Sequence, residues 1–191
     1  LERLRIVFDK PCTAIMGNPG NPVHPDWLHG ASLNITDSCL QAPPDKVAII
    51  EGNEGTDAAR TTTYAGLEML VNRIATGLHG LGLVPGTRIG IYMPLCTEAI
   101  AVFLGIVRAG MTVVSIADSF SPDELRNRMR QAGADWLFTV GGYQYNGKRL
   151  DIYGKVRRAG IAQAVVLNGE ALENGHMDFG ALLADPVFES V

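Results

Sequence analysis

The sequence predicts an α/β fold built on a doubly wound, mainly parallel sheet. Three observations carry that prediction. Strand-length apolar runs alternate with amphipathic stretches through most of the chain. The alternation is densest from Arg88 to Glu124, where strand, helix, strand and helix signals follow one another within about 40 residues. The runs in that stretch are continuously apolar, as expected of parallel strands covered on both faces.

Taken in order, residues 1–26 read as an irregular arm, with Pro11, Pro19, Pro22 and Pro25 and the turn Gly17-Asn18-Pro19-Gly20. Residues 27–191 read as an α/β body that is incomplete. Trp27 to Ile35 leads into a short helix ending before Pro43-Pro44. Lys46–Glu51 reads as a strand, with Arg60–Thr63 its hairpin partner across a Gly-rich loop. Tyr64–Gly82 is a helix whose stripe is Leu67, Leu70, Val71, Ile74, Leu78 and Leu81. The turn Pro85-Gly86 feeds a buried strand, Ile89–Met93. Pro94 supplies the fixed φ of a helix start and Glu98 a first-turn negative charge. Ile100, Phe103, Leu104 and Val107 are expected to form that helix's apolar face, and Gly110 its left-handed end.

Thr112–Ala117 is a second β-branched run. Ser121-Pro122-Asp123-Glu124 then combines a cap, a proline at the first helical position and a capping box. That helix continues over Leu125–Ala132 and stops at Gly133. Trp136–Val140 is the next strand, followed by a Gly-rich turn, Gly141–Gly147, and a helix over Ile152–Ala159. Ala164–Leu167 is a further strand, and Asp178 caps a last short helix ending at Leu183. No internal repeat or low-complexity tract interrupts the pattern.

At 191 residues, 47% hydrophobic and 19% charged, the chain suits one core, or a large domain with a smaller lobe. No apolar run approaches the roughly 20 residues of a membrane span, so no membrane association is expected. A net charge of −4 argues against general nucleic-acid binding. Charge is uneven, however: Arg126, Arg128, Arg130, Lys148, Arg149, Lys155, Arg157 and Arg158 face only Asp135 and Asp151, a local balance of +6. A solvated face and a phosphate-facing surface both fit that cluster. Cys12, Cys39 and Cys96 are too few and scattered for a disulfide framework or metal site. Cys96 stands near a helix start and reads as a packing or capping residue. The chain opens at Leu1 without Met, so it reads as a piece of a longer protein. A cytoplasmic location is expected, with organellar import left open.

Gly142-Tyr143-Gln144-Tyr145-Asn146-Gly147-Lys148-Arg149 matches the G-x4-G-K spacing of a phosphate-binding loop after a strand. Arg149 stands where a Mg²⁺-holding hydroxyl belongs, two tyrosines crowd the loop, and Asp151 adds a like charge to the anion. A surface turn with a glycine at positive φ fits the same residues, as do Lys148 and Arg149 at the rim of a cleft, touching the phosphates of a large coenzyme. His24, His29, His79 and His176 lack ligand spacing, and His79 falls on the polar side of its helix. Asp118 follows the carboxyl end of a strand, a ligand position in α/β proteins and equally a site for a polar loop residue. Asp123 and Glu124 read as helix-start charges. No triad or carboxylate pair emerges, which leaves a ligand-binding α/β domain.

An ordered set of segments then becomes informative: Trp27-Leu28-His29-Gly30-Ala31-Ser32-Leu33-Asn34-Ile35, Thr63-Tyr64-Ala65-Gly66-Leu67, Gly90-Ile91-Tyr92-Met93-Pro94, Ser115-Ile116-Ala117-Asp118-Ser119-Phe120-Ser121 and Phe138-Thr139. From about Trp27 to about Leu167 the chain resembles the amino-terminal part of the adenylate-forming enzymes, among the acetyl-CoA synthetase-like acyl-CoA ligases. The resemblance implies a parent ligase that uses ATP, Mg²⁺, a small carboxylic acid and coenzyme A, forming an acyl-adenylate and then a thioester. The family's phosphate loop, adenine and ribose motifs and catalytic lysine are not among these 191 residues, so the piece alone is expected to be inactive and to contain no catalytic residue. One family site is implied here, the Arg-Ala-Gly-Arg turn that contacts coenzyme A. By spacing from Thr139 it corresponds to Tyr145-Asn146-Gly147-Lys148, where Gly147 and the cation at Lys148 match while Tyr145 and Asn146 depart. A phenol lacks the fork of donors that an arginine offers a phosphate. The alternatives are a non-catalytic binding module and a P-loop phosphotransferase. A cut sheet is further expected to leave an unpaired edge and to favour self-association.

Overall fold

A computed structural model describes residues 4–21, 23–52, 54 and 58–184. Pro22, most of the Gly-rich hairpin loop and both chain ends fall outside the described residues. Residue contacts sort the chain into two units, Leu1–Gln41 and Ala42–Val191.

In the first unit, β1 (Ala14–Met16) pairs antiparallel with β2 (Trp27–His29), so the stretch expected to be wholly irregular contains a strand. Asn18 closes the connection: its Nδ2 donates to the His24 carbonyl at 2.6 Å and its Oδ1 accepts from the Asp26 amide at 2.5 Å. This side-chain mimicry of a backbone turn replaces the alternating pattern that would have announced a hairpin. The short helix α1 (Ile35–Cys39) is capped by Asn34.

The second unit opens with the antiparallel hairpin β3 (Val47–Gly52) and β4 (Ala59–Thr63), as expected. Thr63 both ends β4 and caps α2 (Tyr64–Gly80), its hydroxyl accepting from the Gly66 amide. The chain then runs through β5 (Arg88–Tyr92), α3 (Thr97–Arg108), β6 (Thr112–Ser115), α4 (Pro122–Ala132) and β7 (Trp136–Val140). Next come β8 (Gly142–Tyr145), β9 (Lys148–Asp151), α5 (Ile152–Ala159), β10 (Gln163–Leu167), β11 (His176–Asp178) and α6 (Phe179–Leu183). Asp151 and Asp178 repeat the Thr63 arrangement, each closing a strand and capping the following helix.

Five strands form one parallel sheet in the order β11-β10-β7-β5-β6. The crossover from β5 steps outward to β6, and the next returns past β5 to β7. Right-handed crossovers in opposite directions set α3 and α4 on opposite faces, so the sheet is doubly wound. With α3, α2 and α6 make one layer and α4 packs on α5 in the other. The central strands are buried on both faces, which explains their continuous apolar runs. β11, at one edge, was not foreseen: its three residues, His-Met-Asp, carry no strand period.

Two expectations about α3 need correction. Pro94 does not open the helix, which begins at Thr97 with Cys96 at the cap position. The start is fixed from outside, because the Thr97 amide and hydroxyl both donate to Glu51 Oε2 on β3, at 2.8 and 2.6 Å. Nor does Phe103 belong to the buried face; it is 44% exposed, while Ala101, Val102, Gly105 and Ile106 are buried. The helix is covered by α2 and by the sheet together, which buries small residues that a single apolar stripe overlooks.

Gly105 lets α2 and α3 approach closely, since a Cβ there would lie 2.7 Å from Ile74 Cγ2 and 2.8 Å from Ile74 Cβ. Ile74 is itself fully buried and stiff at χ1. Gly105→Ala is therefore expected to lower unfolding free energy by about 1–3 kcal/mol, overpacking outweighing the gain in helix propensity. Urea denaturation followed by circular dichroism measures this directly.

Candidate functional site

The direction of winding reverses at β5, and the carboxyl ends of β5, β7 and β10 leave an open cleft of about 600 Å³ there. Doubly wound sheets hold ligands at this position, and the volume suits a sizeable small molecule. The floor comes from Pro94, Leu95 and Cys96 after β5, Val140 at the end of β7, and Leu167 and Asn168 at β10. One wall is the β3–β4 hairpin with Glu51, Glu54 and Arg60; the other is the β8–β9 hairpin with Tyr143, Gln144 and Arg149.

The first wall is fixed by charge. Arg60 donates from Nη1 and Nη2 to the two oxygens of Glu98, each at 2.8 Å, and from Nη2 to Glu51 Oε2 at 2.8 Å. That bidentate fork joins β4, β3 and the first turn of α3. Burial opposes ionisation of Glu51, but the Thr97 hydroxyl and amide and Arg60 overcome it and hold the carboxyl below its usual range. Arg60 likewise holds Glu98 low, and both carboxylates raise the Arg60 guanidinium. Burial pushes the Cys96 thiol up, so its place at a helix start does not activate it.

The second wall corrects the expected Gly-rich turn. Gly142–Tyr145 and Lys148–Asp151 form a regular antiparallel ladder, with Tyr145 opposite Lys148. Asn146 and Gly147, at φ +50° and +71°, make the tight turn between them. Asn-Gly between strands is the strongest short hairpin signal, and it was legible in the sequence. A ladder uses the backbone groups that a phosphate-binding loop would offer, so the G-x4-G-K spacing here has no loop to act through. Tyr145, Asn146, Gly147 and Lys148 are brought together at the hairpin tip, with Tyr145 58% exposed and Lys148 also exposed. The Gly147 amide donates to Glu54 Oε1 at 2.6 Å. Arg149, one step from the tip, faces into the cleft.

Asp118 follows β6 and is drawn to the same hairpin. Tyr143 Oη donates to Asp118 Oδ2 at 2.5 Å, and Lys155 Nζ of α5 donates to the Asp118 carbonyl at 2.9 Å. Tyr92, at the end of β5, donates its hydroxyl to the Phe120 carbonyl at 2.6 Å, fixing the same loop. Burial, reinforced by Asp118, raises both phenols, Tyr92 to about 12 and Tyr143 further. The sequence alone gave no signal for Tyr143, because its partner lies 25 residues away.

Much of the basic cluster is structural. Arg126 donates to the Ala159 and Arg158 carbonyls, tying α4 to the end of α5. Arg128 lies 4.1 Å over the Phe120 ring, and Arg157 pairs with Glu173 at 2.8 Å. His176 is also occupied: Nε2 donates to the Ile161 carbonyl, which leaves Nδ1 to accept from the Tyr153 hydroxyl, both at 2.8 Å. Among the described residues, no three His, Cys, Asp or Glu side chains gather as a metal set, and no helix is long and apolar enough to cross a membrane.

Fold and cleft define an α/β ligand-binding body with its site at a switch point. Comparison with known proteins makes this specific. The AMP-binding enzyme family profile matches residues 36–182. Hexanoyl-CoA synthase of Cannabis sativa is 33% identical over 175 residues, covering 87% of this chain and 24% of that protein. Probable acyl-activating enzyme 18, peroxisomal, of Arabidopsis thaliana is 32% identical over 91% of the chain and 24% of its own length. Acetyl-coenzyme A synthetase of Magnetococcus marinus is 34% identical over 71% of the chain and 22% of its own. The structure of acetoacetyl-CoA synthetase from Streptomyces lividans covers the whole chain and 31% of that protein, with a TM-score of 0.84 and 29% identity. The chain thus belongs to the AMP-binding enzyme family, and it spans about a quarter of the length of the curated relatives it matches.

The carboxylates around Arg60 give a testable pH signature. Their depressed values stabilise the fold above the unfolded range near 4.5, and that contribution is lost as pH falls through the folded values. The melting temperature is expected to fall steadily below about pH 4.5, and Arg60→Gln to flatten that dependence while lowering the plateau. Melting curves across pH 3 to 7 check both, and an unchanged slope in Arg60→Gln would refute the assignment.

Proposed function

We propose that the polypeptide carrying this sequence is an AMP-forming acid–thiol ligase. It activates a small carboxylic acid with ATP to an acyl-adenylate and pyrophosphate, then passes the acyl group to the thiol of coenzyme A. The observation that carries this reading is the family match across residues 36–182, which spans the five-stranded sheet, the cleft floor and both hairpin walls. Mg²⁺ would neutralise the phosphates of ATP in such a reaction, and the described residues offer it no clustered ligand set. A cytoplasmic location fits the same reading, with organellar import open because two relatives are named as peroxisomal.

Within that ligase, the β8–β9 tip is the coenzyme contact. Lys148 supplies a point charge for a phosphate, and Arg149 extends positive charge into the cleft. The Gly147 amide already serves Glu54, and Tyr145 offers a ring and a hydroxyl in place of a guanidinium fork. Phosphate recognition therefore falls mainly on the two cations.

Two measurements test the proposal. A polypeptide extended past Val191 through the family's remaining length is expected to exchange pyrophosphate into ATP when given a carboxylic acid; no exchange with any acid tried would refute the ligase reading. In that polypeptide, Lys148→Ala is expected to raise the KM for coenzyme A about tenfold, the loss of one charged phosphate contact, with exchange unchanged.

A further inference from the structure

The β8–β9 hairpin is a two-stranded ribbon at the carboxyl end of the sheet, and such ribbons are marginal unless something else fixes them. Its tip, residues 145–148, is exposed. Its base is fixed by a chain of side-chain bonds. Tyr143 Oη reaches the Asp118 carboxylate at 2.5 Å; Lys155 Nζ holds the Asp118 carbonyl at 2.9 Å; and Tyr92 Oη holds the Phe120 carbonyl at 2.6 Å. The loop after β6 is thereby pinned to α5 and β5, and Tyr143 is the one side chain that connects it to β8 among these contacts. A phenol donating to a carboxylate makes a short, charge-assisted bond, stronger than one between neutral groups.

We infer that Tyr143 and Asp118 are a positioning pair: their bond sets the angle of the β8–β9 hairpin, so that Lys148 and Arg149 meet the ligand's phosphates in one orientation. The part that concerns the coenzyme rests on the ligase reading above; the part that concerns the hairpin does not. Neither residue touches the reacting atoms. The pair acts through the hairpin it holds. Replacing Tyr143 by Phe removes the hydroxyl and retains the ring, so packing is preserved while the tie is lost.

The test has two arms. In the 191-residue chain, amide hydrogen exchange of residues 144–149 is expected to quicken about tenfold in Tyr143→Phe, with the amides of β7 and β10 unchanged. Asp118→Ala should reproduce the effect, Asp118→Asn should restore most of the protection because it keeps an acceptor, and Tyr143→Phe with Asp118→Ala together should do no more than either alone. Unchanged exchange in Tyr143→Phe, or additive effects in the double variant, overturns the pair. In the extended polypeptide, Tyr143→Phe is expected to raise the KM for coenzyme A about tenfold. A KM within about twofold of the parent overturns the coenzyme part of the inference. Absence of exchange in the unsubstituted polypeptide instead refutes the ligase reading, and the amide measurement still decides the hairpin.

Discussion

A strand paired on both sides and covered on both faces can be approached only through its ends. β5 is in that position: β6 and β7 take its edges, the two helical layers take its faces, and four of its five residues are buried. The remaining architecture follows from that constraint. The helices lie above and below the sheet, the winding reverses at β5, and the carboxyl ends open into the cleft. What distinguishes this chain from any other doubly wound sheet is therefore confined to the segments after β5, β7 and β10 and to the two hairpins that flank them.

The two walls are held by different physics. Around Arg60 the polar groups satisfy one another: one guanidinium, two carboxylates and the start of α3 form a connected set of ion pairs and hydrogen bonds. The hairpin opposite depends instead on a phenol, a lysine and a loop carbonyl, with its cations left toward solvent. The first wall is thus closed on itself, and the second leaves Lys148 and Arg149 outside any ion pair among the described residues. This division also explains why a cluster that reads as uniformly basic separates in space, with Arg126, Arg128 and Arg157 serving the fold, Arg149 lining the cleft and Lys148 exposed at the hairpin tip.

Elements whose causes are local in sequence were legible. The capping box at Ser121, the glycine stop at Gly133, the stripe of α2, the cap at Asp178 and the runs of β5 and β7 were all read correctly because each signal lies within a few residues of its effect. What escaped was set at a distance. The start of α3 depends on Glu51, 46 residues away, and its buried face depends on α2. β1 and β11 are strands because a partner is present, and three residues are too few to show a period. The Asn146-Gly147 turn is different: a surface turn with its glycine at positive φ was read from the sequence, and only the short strands on either side of it were missed. For the site, Arg149 at the rim of a cleft was among the readings offered, whereas the Tyr143–Asp118 bond required the fold.

Thr63, Asp151 and Asp178 each end a strand and cap the next helix, with no residue between. At three junctions the chain therefore has no slack. A single inserted residue would rotate the following helix by about 100° about its own axis and turn its apolar stripe away from the sheet. Both cleft hairpins hang from such junctions, so a force applied at either rim is passed mechanically into a core helix.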